Sequence, residues 1–146
     1  MIRFTVYGEP KPAGSKRGVP IKRADGKRGI RVIHDNPHTK SWMADVAAVA
    51  MSTILGNCDR MLIDGPVSLR LVFTRPRPKG HFGKRGLLPS APAWPTTKPD
   101  GIKLARAVED ALTGIVWRDD AQVCRHSIEK QYGERFETVV EIEEIL

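Results

Sequence analysis

The chain opens on strict alternation, with Ile2, Phe4 and Val6 on one side and Arg3, Thr5 and Tyr7 on the other. A period of two sends successive side chains to opposite faces, so these residues predict a strand with one buried face. Gly8-Glu-Pro-Lys-Pro-Ala-Gly14 breaks the period as a turn segment. Short strands are expected at Val19–Lys22 and Ile30–His34, joined by the basic turn Arg23–Gly29, where Asp-Gly suits a hairpin tip. From Thr39 to Leu55 the period becomes helical: Trp42, Val46, Val49, Ala50 and Thr53 recur on one side, and Gly56-Asn57 ends the run. Pro66–Thr74 alternates again through Val67, Leu69, Leu71 and Phe73. Residues 75–97 are rich in proline, glycine and bases and have no period, which predicts a mobile loop long enough to carry function.

A second helix is expected over Asp100–Leu112, between Pro99 and Gly114. At about 100° per residue, Leu104, Ala107, Val108, Ala111 and Leu112 form an apolar stripe, and Lys103, Arg106, Glu109 and Asp110 the opposite face. Trp117-Arg-Asp-Asp120 reads as a turn, and Val123–Gln131 and Phe136–Ile145 as two strands around a hairpin turn at Tyr132-Gly-Glu-Arg135. There is no internal repeat, and 146 residues suggest a single domain, 1–146. This order predicts an α+β, or mixed α/β, fold: two helices packed on a small mixed sheet.

Charge narrows the function classes. The formal net charge is +7, and it is unevenly spread. Lys11, Lys16, Arg17, Lys22, Arg23, Lys27, Arg28 and Arg31 face a single acid, Asp25, and Arg70–Arg85 adds further bases with no acid. The C-terminal end reverses the sign with Glu134, Glu137, Glu141, Glu143 and Glu144. Clustered base points to a polyanion, nucleic acid first; the plain alternative is solvated charge that aids solubility. Cys58 and Cys124 lack a CxxC spacing and read as reduced residues of a cytosolic protein. His34 and His38 are separated by Pro37, which argues against one helical turn holding a zinc pair. The first residues read as a strand rather than a signal peptide, and no apolar run approaches the roughly 20 residues of a membrane span.

The chemistry concentrates in Lys98–Val123. Phosphodiester hydrolysis needs an activated water and stabilised charge on phosphorus oxygens, and a divalent ion held by carboxylates provides both. Asp100 stands where a helix begins, which suits a metal ligand and equally an N-cap. Asp119 and Asp120 suit a ligand pair and equally a turn. Arg106 and Asp110 are four residues apart, either a surface ion pair or a phosphate clamp beside a metal.

Asp100, the Lys103-Leu-Ala-Arg-Ala-Val-Glu-Asp-Ala-Leu112 helix and Trp117-Arg-Asp-Asp-Ala-Gln-Val123 together resemble the RusA family of Holliday junction resolvases. The opening strand with Pro10-Lys-Pro12, and Ile128-Glu-Lys-Gln-Tyr-Gly133, resemble that family's phage and prophage members. The resemblance spans most of the chain and is weakest near residues 75–97. It implies a homodimeric, magnesium-dependent endonuclease (manganese being the alternative ion) that makes paired nicks in four-way junctions during DNA recombination and repair. The family's catalytic carboxylates are an Asp-x-Asp at the helix start and the second Asp of the Asp-Asp pair, which fall on Asp100, Ile102 and Asp120. The family's helix lysine falls on Arg106, and its asparagine on Lys103.

Ile102 departs from that pattern, because isoleucine cannot ligate magnesium. Its side chain is either buried against another segment or a dimer partner, or left on the polar side of the helix. Three explanations follow: Asp119 or Glu109 completes a set begun by Asp100 and Asp120, the protein binds junctions with little cleavage, or the substitution abolishes activity. The leading expectation is a junction endonuclease with metal at Asp100 and Asp120, Asp119 assisting, and Arg106 and Lys103 at the scissile phosphate. Lys11, Lys16, Arg17, Arg75 and Arg77 are expected to follow the DNA arms through phosphate contacts. The rivals are a catalytically inactive junction binder on the same fold and a small RNA-binding domain. The RNA reading rests on charge alone.

Overall fold

In β1 (Ile2–Tyr7), Ile2, Phe4 and Val6 are buried, as the alternation requires. The computed structural model describes residues 1–146 apart from Ser15, Asp35 and 58–61, with the side chains of Lys16, Arg17 and His34 also left aside. Strands β2 (Lys16–Lys22) and β3 (Arg28–His34) form a separate antiparallel ribbon. Its tip is closed by the Lys27 N–H donating to Asp25 Oδ1 at 3.0 Å. Helix α1 spans Thr39–Leu55 and buries Thr39, Trp42, Val46 and Ala50. Strand β4 (Val67–Pro76) runs two residues beyond its expected end.

Residues 77–97 carry regular structure that no sequence period announced. A 3-10 turn at Lys79–His81 leads into a two-residue hairpin of β5 (Phe82–Gly83) and β6 (Gly86–Leu87). Helix α2 (Gly101–Leu112) follows, then a 3-10 turn at Asp120–Gln122, β7 (Val123–Gly133) and β8 (Glu137–Glu144).

The main sheet has the order β1-β8-β4-β7, antiparallel at the first two pairings and parallel between β4 and β7. This corrects the expected hairpin of the last two strands: β4 lies between them. Two strand spacings of about 4.8 Å separate β7 from β8, a span that the three linking residues can cross at about 3.3 Å each. Turn-forming residues between two alternating runs are compatible with either pairing, and the choice belongs to β4, which offers both of its edges.

One face of the sheet carries the core. Ile2, Phe4, Val6, Leu69, Leu71, Phe73, Val140 and Ile142 join Trp42, Val46, Leu104, Val108, Leu112 and Trp117 in one cluster. The other face is charged. Glu141 stands between Arg3 (3.4 Å) and Arg70 (3.1 Å), each on a neighbouring strand. Cross-strand pairs of opposite sign keep that face in register without a second apolar layer. No helix among the described residues is long and apolar enough to cross a membrane.

Candidate active site on helix α2

Helix α2 is held by its apolar stripe: Leu104, Ala105, Ala107, Val108, Ala111 and Leu112 are buried, which adds only Ala105 to the expected set. Its approach is braced from strand β7, where Lys130 Nζ donates to the carbonyls of Thr97 (3.0 Å) and Pro99 (3.1 Å). Arg75 Nη1 donates to the Lys98 carbonyl at 3.2 Å, and Lys98–Pro99 is a cis peptide. The helix start lies so close to the sheet that a Cβ on Gly101 would stand 3.3 Å from Ile128 Cγ2. The Ala13 N–H donates to the Lys103 carbonyl at 2.9 Å, which ties the N-terminal segment to the same helix.

Asp100 occupies the N-cap position, but its side chain makes no capping bond. Its Oδ2 lies 3.9 Å from Lys103 Nζ, a mostly exposed pair of small energetic weight. Asp119 has the opposite character. Its Oδ1 accepts from the Ala121 N–H at 2.8 Å, and the Gln122 side chain answers by accepting from the Asp119 N–H at 3.0 Å. That is a full capping box on the 3-10 turn. The Ala121 N–H, and then contact with the Asp120 carboxyl, hold the Asp119 carboxyl below the usual carboxylate range. Gln122 Nε2 also donates to the carbonyls of Ile63 (2.9 Å) and Gly65 (3.0 Å), so one side chain fastens the acidic turn to the segment leading into β4. Arg118 pairs with Asp64, which raises its pKa.

Asp120 faces a shallow depression of about 440 Å3 shared with Ile102, Ala105, Arg106, Glu109, Asp110, His126 and Ile128. Three carboxyl groups, a guanidinium and an imidazole thus meet between α2 and β7. His126 Nε2 lies 3.1 Å from Glu109 Oε2. Among the described residues no ion pair joins Arg106 to Asp110, so the guanidinium is not committed to its helix neighbour. Ile102 is 69% exposed on the same wall, and within this chain nothing buries it.

The structure therefore brings Arg106 and Asp120 together, with Ile102 between helix and rim. Asp100, Asp119 and Lys103 are not among the lining residues. His126 was missed from sequence, although the period of β7 contained the signal: His126, Ile128 and Lys130 share the face turned to α2. Of the residues expected along DNA, Lys11 pairs with Glu9 at 3.2 Å. Arg77 Nη1 donates to the Pro92 carbonyl at 2.7 Å, and Arg75 supports Lys98, so both arginines bind their own loop. The side chains of Lys16 and Arg17 lie outside the described residues.

Carboxylate oxygens are donors of the type a hard divalent cation takes. However, among the described residues no three His, Cys, Asp or Glu groups converge closely enough to hold an ion. The site as it stands offers an exposed carboxylate and a guanidinium across one depression, an arrangement that can hold a phosphate and orient a water beside it.

Two comparisons bear on this arrangement. A family model described as endodeoxyribonuclease RusA matches residues 9–143. The uncharacterized protein YqaN of Bacillus subtilis (strain 168) is 33% identical over 152 residues, covering 99% of this chain and 96% of that protein.

Proposed function

The chain belongs to the RusA family of endodeoxyribonucleases, and from that premise we propose that it resolves four-way DNA junctions by paired nicks, with magnesium as its ion. The observation that carries this reading is the meeting of Asp120 and Arg106 at one depression in a protein of net charge +7. Arg106 grips a non-bridging oxygen pair of the scissile phosphate, a geometry that a guanidinium fork matches. Asp120 orients the attacking water and accepts its proton. Lys103 neutralises a neighbouring phosphate, while Asp119 shapes the turn that presents Asp120. Among the described residues the carboxylates do not converge on one point, so they do not form a ready-made ion site. Nicking should require added magnesium, with manganese as the substitute.

A homodimer fits the substrate, since two nicks related by a two-fold axis need two sites so related. A DNA substrate fits the cytoplasmic location expected from the sequence.

One observation favours a second reading, a junction binder that cleaves weakly: Ile102 projects into the depression where the family has an acid. Synthetic four-way junctions with magnesium separate the two. Nicking by the unmodified protein that is lost in Asp120→Asn, with junction binding retained, supports the nuclease. Tight binding without nicks, and nicks gained in Ile102→Asp, supports the binder.

A further inference from the structure

Beyond the depression, residues 77–94 and the end of β7 form a second concave surface with a different chemistry. Arg77, Phe82, Leu87, Trp94, Gln131 and Tyr132 line a groove of about 480 Å3. Trp94 is 57% exposed, Phe82 51% and Leu87 52%, so large apolar faces stand open to solvent. The groove is built rather than incidental. Arg77 lies over the Tyr132 ring at 4.4 Å, and His81 meets the same ring edge-on at 5.4 Å. Gln131 Nε2 donates to Thr74 Oγ1 at 2.9 Å, which fixes that side chain at the groove wall. The surrounding charge has one sign: residues 75–98 hold Arg75, Arg77, Lys79, Lys84, Arg85 and Lys98 and no acid.

We propose that this groove takes an unpaired nucleobase, stacked on Trp94, with the flanking phosphates met by the exposed Lys79, Lys84 and Arg85. Aromatic faces beside a purely basic rim are the combination that binds single-stranded nucleic acid, because stacking is indifferent to sequence and the rim follows the backbone. A duplex keeps its base faces covered by their neighbours, so only a base out of the stack can offer its face to Trp94. The groove's place along β7 suits the junction reading on which this inference rests. Ile128 lines the depression and Tyr132, on the same face of β7, lines the groove, four residues or about 13 Å along the same edge strand. A base unstacked near the cleaved phosphate is within reach.

Trp94 is its own reporter, since Trp42 and Trp117 are buried. Tryptophan emission is followed while the full chain is titrated with a four-way junction, a matched duplex, and a single strand of about ten nucleotides, a length within the range such sites cover. The junction and the single strand should quench emission and the duplex should not. Trp94→Ala should weaken binding of both quenching ligands by about ten-fold, within the range of one lost stack. Duplex affinity should be unchanged, and Trp94→Phe should restore most of the loss. Equal junction binding by Trp94→Ala and the unmodified protein overturns the inference. So does an equal loss on duplex, which marks a simple backbone contact, or emission that follows protein concentration without DNA, which marks a second copy in the groove. If the single strand quenches but junctions bind no better than duplex and are not nicked, the groove stands and the junction reading falls.

Discussion

Asp119 and Asp120 are adjacent acids with different work. The Asp119 carboxylate turns back on the Ala121 amide, and Asp120 faces the depression on α2. Asp119 therefore bears on stability, and the proposed chemistry falls to Asp120. The pH dependence follows from the lowered pKa of Asp119. A depressed carboxylate contributes its full stability above its unfolded value, about 3.9, and loses it as pH falls through the lower folded value. Thermal melts of Asp119→Ala should lie a few degrees below the unmodified protein, with a constant gap between about pH 7 and pH 5. That gap should narrow only below about pH 4. A gap that closes near neutrality would show that some other group is titrating.

At the level of elements, the acidic turn is tied to the rest of the fold through Gln122. Its carbonyl oxygen accepts from the N–H groups of Arg118 (2.9 Å) and Asp119 (3.0 Å), while its Nε2 reaches Ile63 and Gly65. Gln122→Ala leaves partly buried backbone groups without partners and should cost about 2 kcal/mol in urea unfolding. Because the turn presents Asp120, the same variant should lose nicking by more than it loses junction affinity. Lys130 does the like for the segment that enters α2, where it spans to two carbonyls before the helix. The segment that enters the helix carrying Arg106 is thus held by side-chain hydrogen bonds, and the helix itself by its buried stripe.

For the whole molecule the governing quantity is charge. With a net +7 concentrated in the N-terminal segment and residues 70–85, DNA affinity should be dominated by released counterions. Junction binding followed by gel shift should weaken by about three orders of magnitude between roughly 50 and 200 mM salt if about six phosphates are contacted. A shallow salt slope would instead assign the binding to base contacts. Arg75 and Arg77 are employed inside their loop, so the exposed Lys79, Lys84 and Arg85 should carry more of that slope.

Much of this was legible in the linear chain because it depends on local period. Alternation located β1 and β4, the 3.6 period placed α1 at Thr39–Leu55, and the α2 stripe was read correctly except for Ala105. The residues Asp100, Arg106, Asp119 and Asp120, and the anomaly at Ile102, are visible in one short stretch. Period says which face a side chain takes on its own element and nothing about which element lies opposite. Only the tertiary structure could insert β4 between β7 and β8, since pairing is settled by edges far apart in sequence. That same insertion brings His126 on β7 to Glu109 on α2. The folded 3-10 turn separates Asp119 from Asp120, closing one into a cap and leaving the other in the depression with Ile102.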